Sequence, residues 1–360
     1  MTAKTTLQWV TSVFKGAWKK HQDVLALLVL AAFGVRRLSI TALGREAAQD
    51  TVPKHAIKRV DRWLGNRLFD DRRAREQFLR LVLGLRRQVL IAVDWTKLRR
   101  WPVLVAGVVH RGRAVPVLWS VADPAKLYKS QNAFEHGFLT WLKSSLPDGV
   151  QATVLLDRGF KRVELVSQLR RLGLQFVIRT GGNVHVQHCQ YRGRMDQLIC
   201  RRGQRKDLPE AVLRPSRPVQ VRVVGVWEKG FKEPWLLMTN VEAEVDRIVW
   251  LYSKRFQIEE AFRDQKDWRL GLQLGHTLIR KADRVDRMIL VAALVLFLAL
   301  LVGAEARRRK LDRGFRANTE RKRPTHSDFA LGLFYGPRLR VNRSKLLRIF
   351  YREGVEVLRG

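Results

Sequence analysis

The sequence predicts an α/β fold in which a strand-rich core sits between helical regions. Short apolar runs bounded by turn residues begin at Val89 and alternate with helix-length segments as far as Trp235 to Met238, whereas residues 7–80 are patterned as helix. Two of these runs, Val89 to Val93 and Ala152 to Leu156, lead directly into an aspartate, Asp94 and Asp157. A third stretch, Tyr252 to Lys266, contains neither Pro nor Gly and reads as one helix. At about 100° per residue, Tyr252, Arg255, Glu259 and Lys266 fall within an arc of about 60°, beside an apolar edge of Leu251, Ile258 and Phe262.

Taken in order, residues 1–85 form a helical region. Thr51-Val52-Pro53 marks a helix start and Gly65-Asn66 a stop. Between them Ile57, Val60, Trp63 and Leu64 share one side, and Lys54, Lys58, Arg59 and Arg62 share the other. With Ser39 to Ala48 as a preceding helix, this is the pattern of a helix-turn-helix pair whose basic face lies on DNA phosphates or in a groove. An ordinary amphipathic surface helix is the alternative.

Residues 86–180 hold the first part of the core: the strand ending at Asp94, then a hairpin of Val103 to Val109 and Ala114 to Val121 about Arg111-Gly112-Arg113. A helix (Gln131 to Ser145), the strand ending at Asp157, a helix (Arg162 to Leu172) and a strand (Gln175 to Ile178) follow. Residues 181–234 read as a mostly β insertion, and residues 235–305 as the second part of the core, with the carboxylate-bearing helix. That element order is the order of the ribonuclease-H-like fold. If its first and fourth strands are parallel neighbours, Asp94 and Asp157 meet at one end of the sheet. Met288 to Ala304 is 17 residues without a charge, at the lower limit for a membrane span. Both flanks are equally basic, so a buried core helix is the expectation. Residues 306–360 form a basic helical region; 307–323 carry nine Lys and Arg against Asp312 and Glu320.

Charge narrows the partner. Sixty-nine Lys and Arg against 33 Asp and Glu give a net charge of +36 and a pI near 11.4. Such a surface repels itself without a polyanion, so nucleic acid is expected, with a membrane surface the weaker competitor. Two cysteines, Cys189 and Cys200, make no disulfide framework, which suits a reduced cytoplasm, where a DNA partner would place the protein at the bacterial nucleoid. The start, with Lys4, Lys15, Lys19 and Lys20, shows no signal-peptide pattern. The cysteines share their stretch with His185 and His188, but the spacing matches no standard zinc finger. Neither a membrane nor a small-molecule substrate is expected.

A strand-end aspartate is usually a turn residue or a helix cap. Asp94, Asp157 and Glu259 together in a strongly basic chain outweigh that reading. They form an all-oxygen donor set suited to Mg²⁺ or Mn²⁺, two ions in all, that promotes in-line phosphoryl transfer. Arg255 and Lys266 would hold phosphates and Tyr252 would add a hydroxyl. The plainer reading of the helix is a solvated face with an Arg255–Glu259 pair.

Tyr252, Arg255, Glu259 and Lys266 match the Y-x2-R-x3-E-x6-K signature, so the chain resembles the DDE transposases of the insertion-sequence-four family. Val93-Asp94-Trp95-Thr96, Asp157 to Lys161, Glu233-Pro234-Trp235, and Lys54-His55 through Gly65-Asn66 are similar to the subgroup typified by the transposase of transposon ten. The likeness runs from about residue 38 to about residue 323. The resemblance implies that Asp94, Asp157 and Glu259 are a metal-binding catalytic triad. It also implies that Trp235 stacks a flipped base, and that Tyr252, Arg255 and Lys266 hold neighbouring phosphates. It implies cut-and-paste transposition through a DNA hairpin, by a homodimer that joins transposon ends to target DNA. A nuclease without strand transfer and a catalytically silent DNA-binding protein are the alternatives.

Overall fold

The computed structural model describes residues 3–359 except 15, 17–18, 49–50, 183, 214–217, 316–318, 320–323, 337–338 and 340–341. Beyond Phe315, the basic stretch 307–323 lies outside the described residues apart from Thr319.

Five helices come first: α1 (Ala3–Val13), α2 (Lys19–Val35), α3 (Ile40–Glu46), α4 (Pro53–Leu64) and α5 (Asp71–Leu83). Pro53 occupies the first turn of α4, where its missing N–H is harmless, and Gly65 caps the end. Val60, Trp63 and Leu64 are buried, while Lys54, Lys58, Arg59 and Arg62 are exposed. Ser39 caps α3 by accepting from the Ala42 N–H at 3.2 Å. α3 packs so closely on α4 that a Cβ at Gly44 would lie 2.6 Å from the Ile57 Cα.

The core strands are β1 (Gln88–Leu98), β2 (Trp101–His110), β3 (Arg113–Val121), β4 (Gln151–Leu156) and β5 (Gln175–Arg179). Between β3 and β4 lie α6 (Pro124–Leu127) and α7 (Gln131–Ser145); α8 (Val163–Arg171) joins β4 to β5. Arg111 and Gly112 turn the β2–β3 hairpin with φ of 41° and 84°, the paired positive angles of a two-residue loop that follows strand twist. The sheet order is β3-β2-β1-β4-β5, continued by β10 (Trp235–Thr239), β9 (Val219–Val226), β8 (Arg205–Leu213), β6 (His185–His188) and β7 (Tyr191–Arg194). β1, β4 and β5 are parallel; the other pairings are antiparallel. The stretch read as a β-rich insertion thus supplies β6 to β9, which prolong the core sheet instead of forming a separate layer.

The remaining helices are α9 (Val245–Ser253), α10 (Gln257–Lys266), α11 (Ala282–Arg308), α12 (Asp328–Tyr335) and α13 (Arg343–Arg359). The 27-residue α11 contains the uncharged run, and 94% of its most apolar window is buried inside the protein. Close approach allows this: a Cβ at Gly332 of α12 would lie 1.8 Å from the Ala299 carbonyl oxygen of α11. Three arginine–aspartate pairs tie α11 to the N-terminal helices. Arg287 grips Asp71 through two nitrogens at 2.9 and 3.0 Å, Arg75 reaches Asp286 at 3.0 Å, and Arg284 pairs with Asp61.

Two local expectations are corrected. β1 does not stop at Asp94: it runs to Leu98, because Trp95 to Leu98 keep pairing with β2 after β4 has ended at Leu156. Nor is Tyr252 to Lys266 one helix. A single 3₁₀ turn at Lys254–Phe256 separates α9 from α10, with no Pro or Gly to mark it.

Candidate active site

The two aspartates stand side by side because of sheet register. Val93 pairs with Leu156 in the parallel β1–β4 ladder, so Asp94 and Asp157 are the next residues along neighbouring chains. Each also engages a local N–H: Asp94 Oδ1 accepts from Trp95 N and Asp157 Oδ1 from Gly159 N, both at 2.8 Å. The turn-residue role is therefore real for Asp157, which opens the short turn Arg158–Phe160, and it coexists with the pairing. Burial, and then the neighbouring Asp157 charge, push the Asp94 carboxyl up to about 7, against the opposing pull of Arg255 and the Trp95 N–H.

Arg255 joins Asp94 to Glu259. Its Nη1 donates to Asp94 Oδ2 at 3.3 Å and its Nη2 to Glu259 Oε1 at 2.6 Å. The expected pairing along the helix is present, but the guanidinium also reaches across to the sheet. Its side chain is only 7% exposed, that of Glu259 50%. Phe256 closes over the guanidinium with its ring centre 4.4 Å from Cζ. Lys266 donates to Thr96 Oγ1, two residues past Asp94, and burial draws its ammonium below the usual lysine range.

Tyr252 does not line up outward with these groups. It is 1% exposed, and its ring meets the Trp235 ring edge-on at 5.0 Å. Burial raises its phenol above the ordinary range. Trp235, half-buried on β10, also stacks on Phe231 with centroids 4.3 Å apart. Glu233, two residues before Trp235, is held by Arg179 at 2.9 Å and by Arg158, the residue after Asp157. Away from this pocket, Arg59 and Arg62 of α4 line a recess of about 390 Å³ with Lys20, His21 and His55.

One residue was missed by sequence reasoning. Glu135 of α7 is fully buried and accepts from Trp95 Nε1 at 2.8 Å and Gln131 Nε2 at 2.9 Å, while Arg162 closes an ion pair on its other oxygen. It thereby ties the residue after Asp94 to the segment after Asp157. The signal was a carboxylate in the first place of the apolar series Glu135, Phe138, Leu139, Leu142.

The site's chemistry suits a hard cation: the carboxylate donors are oxygen, and two partly buried aspartates stand at neighbouring strand ends, where the Asp157 charge raises the Asp94 carboxyl, a cost that a divalent ion would remove. Among the described residues no three His, Cys, Asp or Glu side chains are close enough to share one ion. Glu259 is instead engaged by Arg255.

This strand order, with acidic groups on two adjacent parallel strands and a third on a following helix, is compatible with a ribonuclease-H-like DDE domain. The chain belongs to the transposase DDE domain family: the family model matches residues 86–298, more than half of the chain, a span within which Asp94, Asp157 and Glu259 lie. No curated protein matches it.

Proposed function

We propose that the protein is a cut-and-paste DNA transposase of the insertion-sequence-four type. In this reading it binds terminal inverted repeats as a homodimer, cleaves through a hairpin and joins 3′ ends to target DNA. The observation that carries the reading is the adjacency of Asp94 and Asp157, each one residue past the last β1–β4 pair, with Glu259 tethered to Asp94 through Arg255, inside the span that matches the family.

Asp94, Asp157 and Glu259 would hold Mg²⁺ or Mn²⁺, two ions in the full complex. Such ions activate an attacking oxygen and stabilise a leaving one. Nicking, hairpin formation, reopening and joining are each phosphoryl transfers, so one set of carboxylates serves all four, with water or a 3′-OH as the nucleophile. Arg255 and Lys266 bind the phosphates flanking the scissile bond. Trp235 offers the part of its ring that Phe231 leaves uncovered to a flipped base, and Tyr252 braces that ring edge-on. Lys54, Lys58, Arg59 and Arg62 on α4 lie along the backbone of the end DNA.

Asp94→Ala, Asp157→Ala and Glu259→Ala are each expected to abolish cleavage of end DNA in Mg²⁺ while leaving DNA binding largely intact. Appreciable cleavage by any of the three refutes the triad. Covalent attachment of a labelled end fragment to a target plasmid separates transposition from simple hydrolysis.

A further inference from the structure

We infer that Arg255 stands in for the metal cation, holding Glu259 out of the metal site until a DNA phosphate draws the guanidinium away, so that metal loading is coupled to DNA binding. The inference rests on the triad proposed above and adds its regulation.

The geometry is that of one cation shared by two carboxylates. Arg255 spans Asp94 Oδ2 at 3.3 Å and Glu259 Oε1 at 2.6 Å, each through a different Nη. A divalent ion held by both carboxylates would draw on the same negative charge, so the guanidinium and the ion would compete for it. The 3₁₀ turn at Lys254–Phe256 sets up this competition, since it places Arg255 at the break between α9 and α10 with its side chain turned inward.

The same guanidinium is equipped to leave. Its Nε is buried without a hydrogen-bond partner, so the inward position leaves one donor unsatisfied. Glu259, at the outer end of the bridge, is half exposed and within reach of an arriving backbone. A phosphate is the anion that a guanidinium grips best, through two parallel N–H donors, and such a grip uses an Nη edge now given to a carboxylate. Once Arg255 turns to phosphate, Asp94 and Glu259 lose their shared partner just as a polyanion adds negative charge nearby. Both changes favour divalent-ion binding. Linkage makes the effect reciprocal: whatever factor DNA adds to metal affinity, metal adds to DNA affinity.

The test is a Mn²⁺ titration of the full chain, following free Mn²⁺ by electron paramagnetic resonance, for wild type, Arg255→Gln, Arg255→Lys, Asp94→Asn and Asp157→Asn. Without DNA, Arg255→Gln is expected to bind Mn²⁺ at least about tenfold more tightly than wild type, because a competing cation is gone. Arg255→Lys is expected to show a smaller gain, since an ammonium reaches one carboxylate at a time. If circular dichroism shows that Arg255→Gln does not fold, Arg255→Lys decides alone. A short DNA duplex, with binding to DNA itself subtracted, then tightens wild type by more than the variant, which gains only what the added negative charge contributes. Arginine variants that bind Mn²⁺ no more tightly than wild type overturn the inference, as does a duplex that tightens both proteins equally or neither. Failure of the triad itself looks different: Asp94→Asn and Asp157→Asn would then retain wild-type Mn²⁺ affinity.

Discussion

Asp94→Asn is expected to stabilise the metal-free protein at mildly alkaline pH, although it removes an ion-pair partner of Arg255. Burial and the adjacent Asp157 raise the Asp94 carboxyl from 3.8 to about 7 in the folded protein. In the unfolded chain the same group releases its proton near 3.8. Between those values the folded state holds a proton that the unfolded state has lost. Stability therefore falls as pH rises through that window and stays low above it. A shift of about three units at about 1.4 kcal/mol each sets a ceiling of about 4 kcal/mol. The effective dielectric of a site that opens to solvent reduces this to about 1–3 kcal/mol. Asparagine cannot ionise; its one carbonyl oxygen keeps the Trp95 N–H that Oδ1 now accepts, and its amide NH₂ replaces the Oδ2 that accepts from Arg255, so that 3.3 Å bond is lost. Urea unfolding in EDTA at pH 5 and pH 8 measures the effect. The two proteins should agree within about 1 kcal/mol at pH 5, and the variant should be more stable by about 1–3 kcal/mol at pH 8. Mg²⁺ should then stabilise wild type at pH 8 and leave the variant unmoved. Asp286, raised to about 6, and Asp71 and Asp264, also raised by burial, affect both proteins alike, so the difference isolates Asp94. A variant less stable than wild type at pH 8 without metal refutes the reasoning.

Glu135→Gln strands Arg162 beside an apolar helix face and weakens the acceptor for the Trp95 indole. A loss of about 1–3 kcal/mol is expected in denaturant unfolding, since Arg162 keeps partial access to water; no loss would mean that the buried pair holds nothing together. Trp235→Ala should slow hairpin formation more than first-strand nicking in a gel time course. Equal slowing of both steps would assign the ring to packing against Phe231 and Tyr252. Arg59→Ala and Arg62→Ala should each weaken duplex binding and lower the slope of log K against log salt by about 1, as loss of one phosphate contact requires. An unchanged slope would remove that residue from the DNA contact.

What the sequence made legible was whatever local chemistry decides. Pro53 and Gly65 punctuate α4, and Arg111-Gly112 supplies the positive φ angles that a two-residue hairpin loop needs. Apolar runs of five residues ahead of Asp94 and Asp157 placed both aspartates before any coordinates did. Less legible was whatever a neighbour decides. Trp95 to Leu98 remain a strand because β2 continues beside them, which no property of β1 announces. The turn at Lys254–Phe256 has ordinary helix-forming residues; what accompanies it is tertiary, with Arg255 bonded to Asp94 and Phe256 lying over the guanidinium. A regular wheel drawn through Tyr252, Arg255, Glu259 and Lys266 therefore placed four side chains on one outward face, whereas Tyr252 is in the core and Arg255 points at the sheet. Glu135 went unnoticed for a related reason: only its partners, Trp95 and Arg162, give a buried carboxylate meaning.

Helix α11 has a consequence for how the chain must be made. Its coat comes from both directions in sequence, from α2 and α5 ahead of it and from α12 and α13 behind it. During synthesis the early helices are available when α11 leaves the ribosome, but the covering that fits against Ala299 arrives only with Gly332. For that interval a segment greasy enough to enter a bilayer is wrapped on one flank only. Polypeptides cut short before α12 should therefore clump or drift to membranes, and their failure in transposition would say nothing about the catalytic pocket.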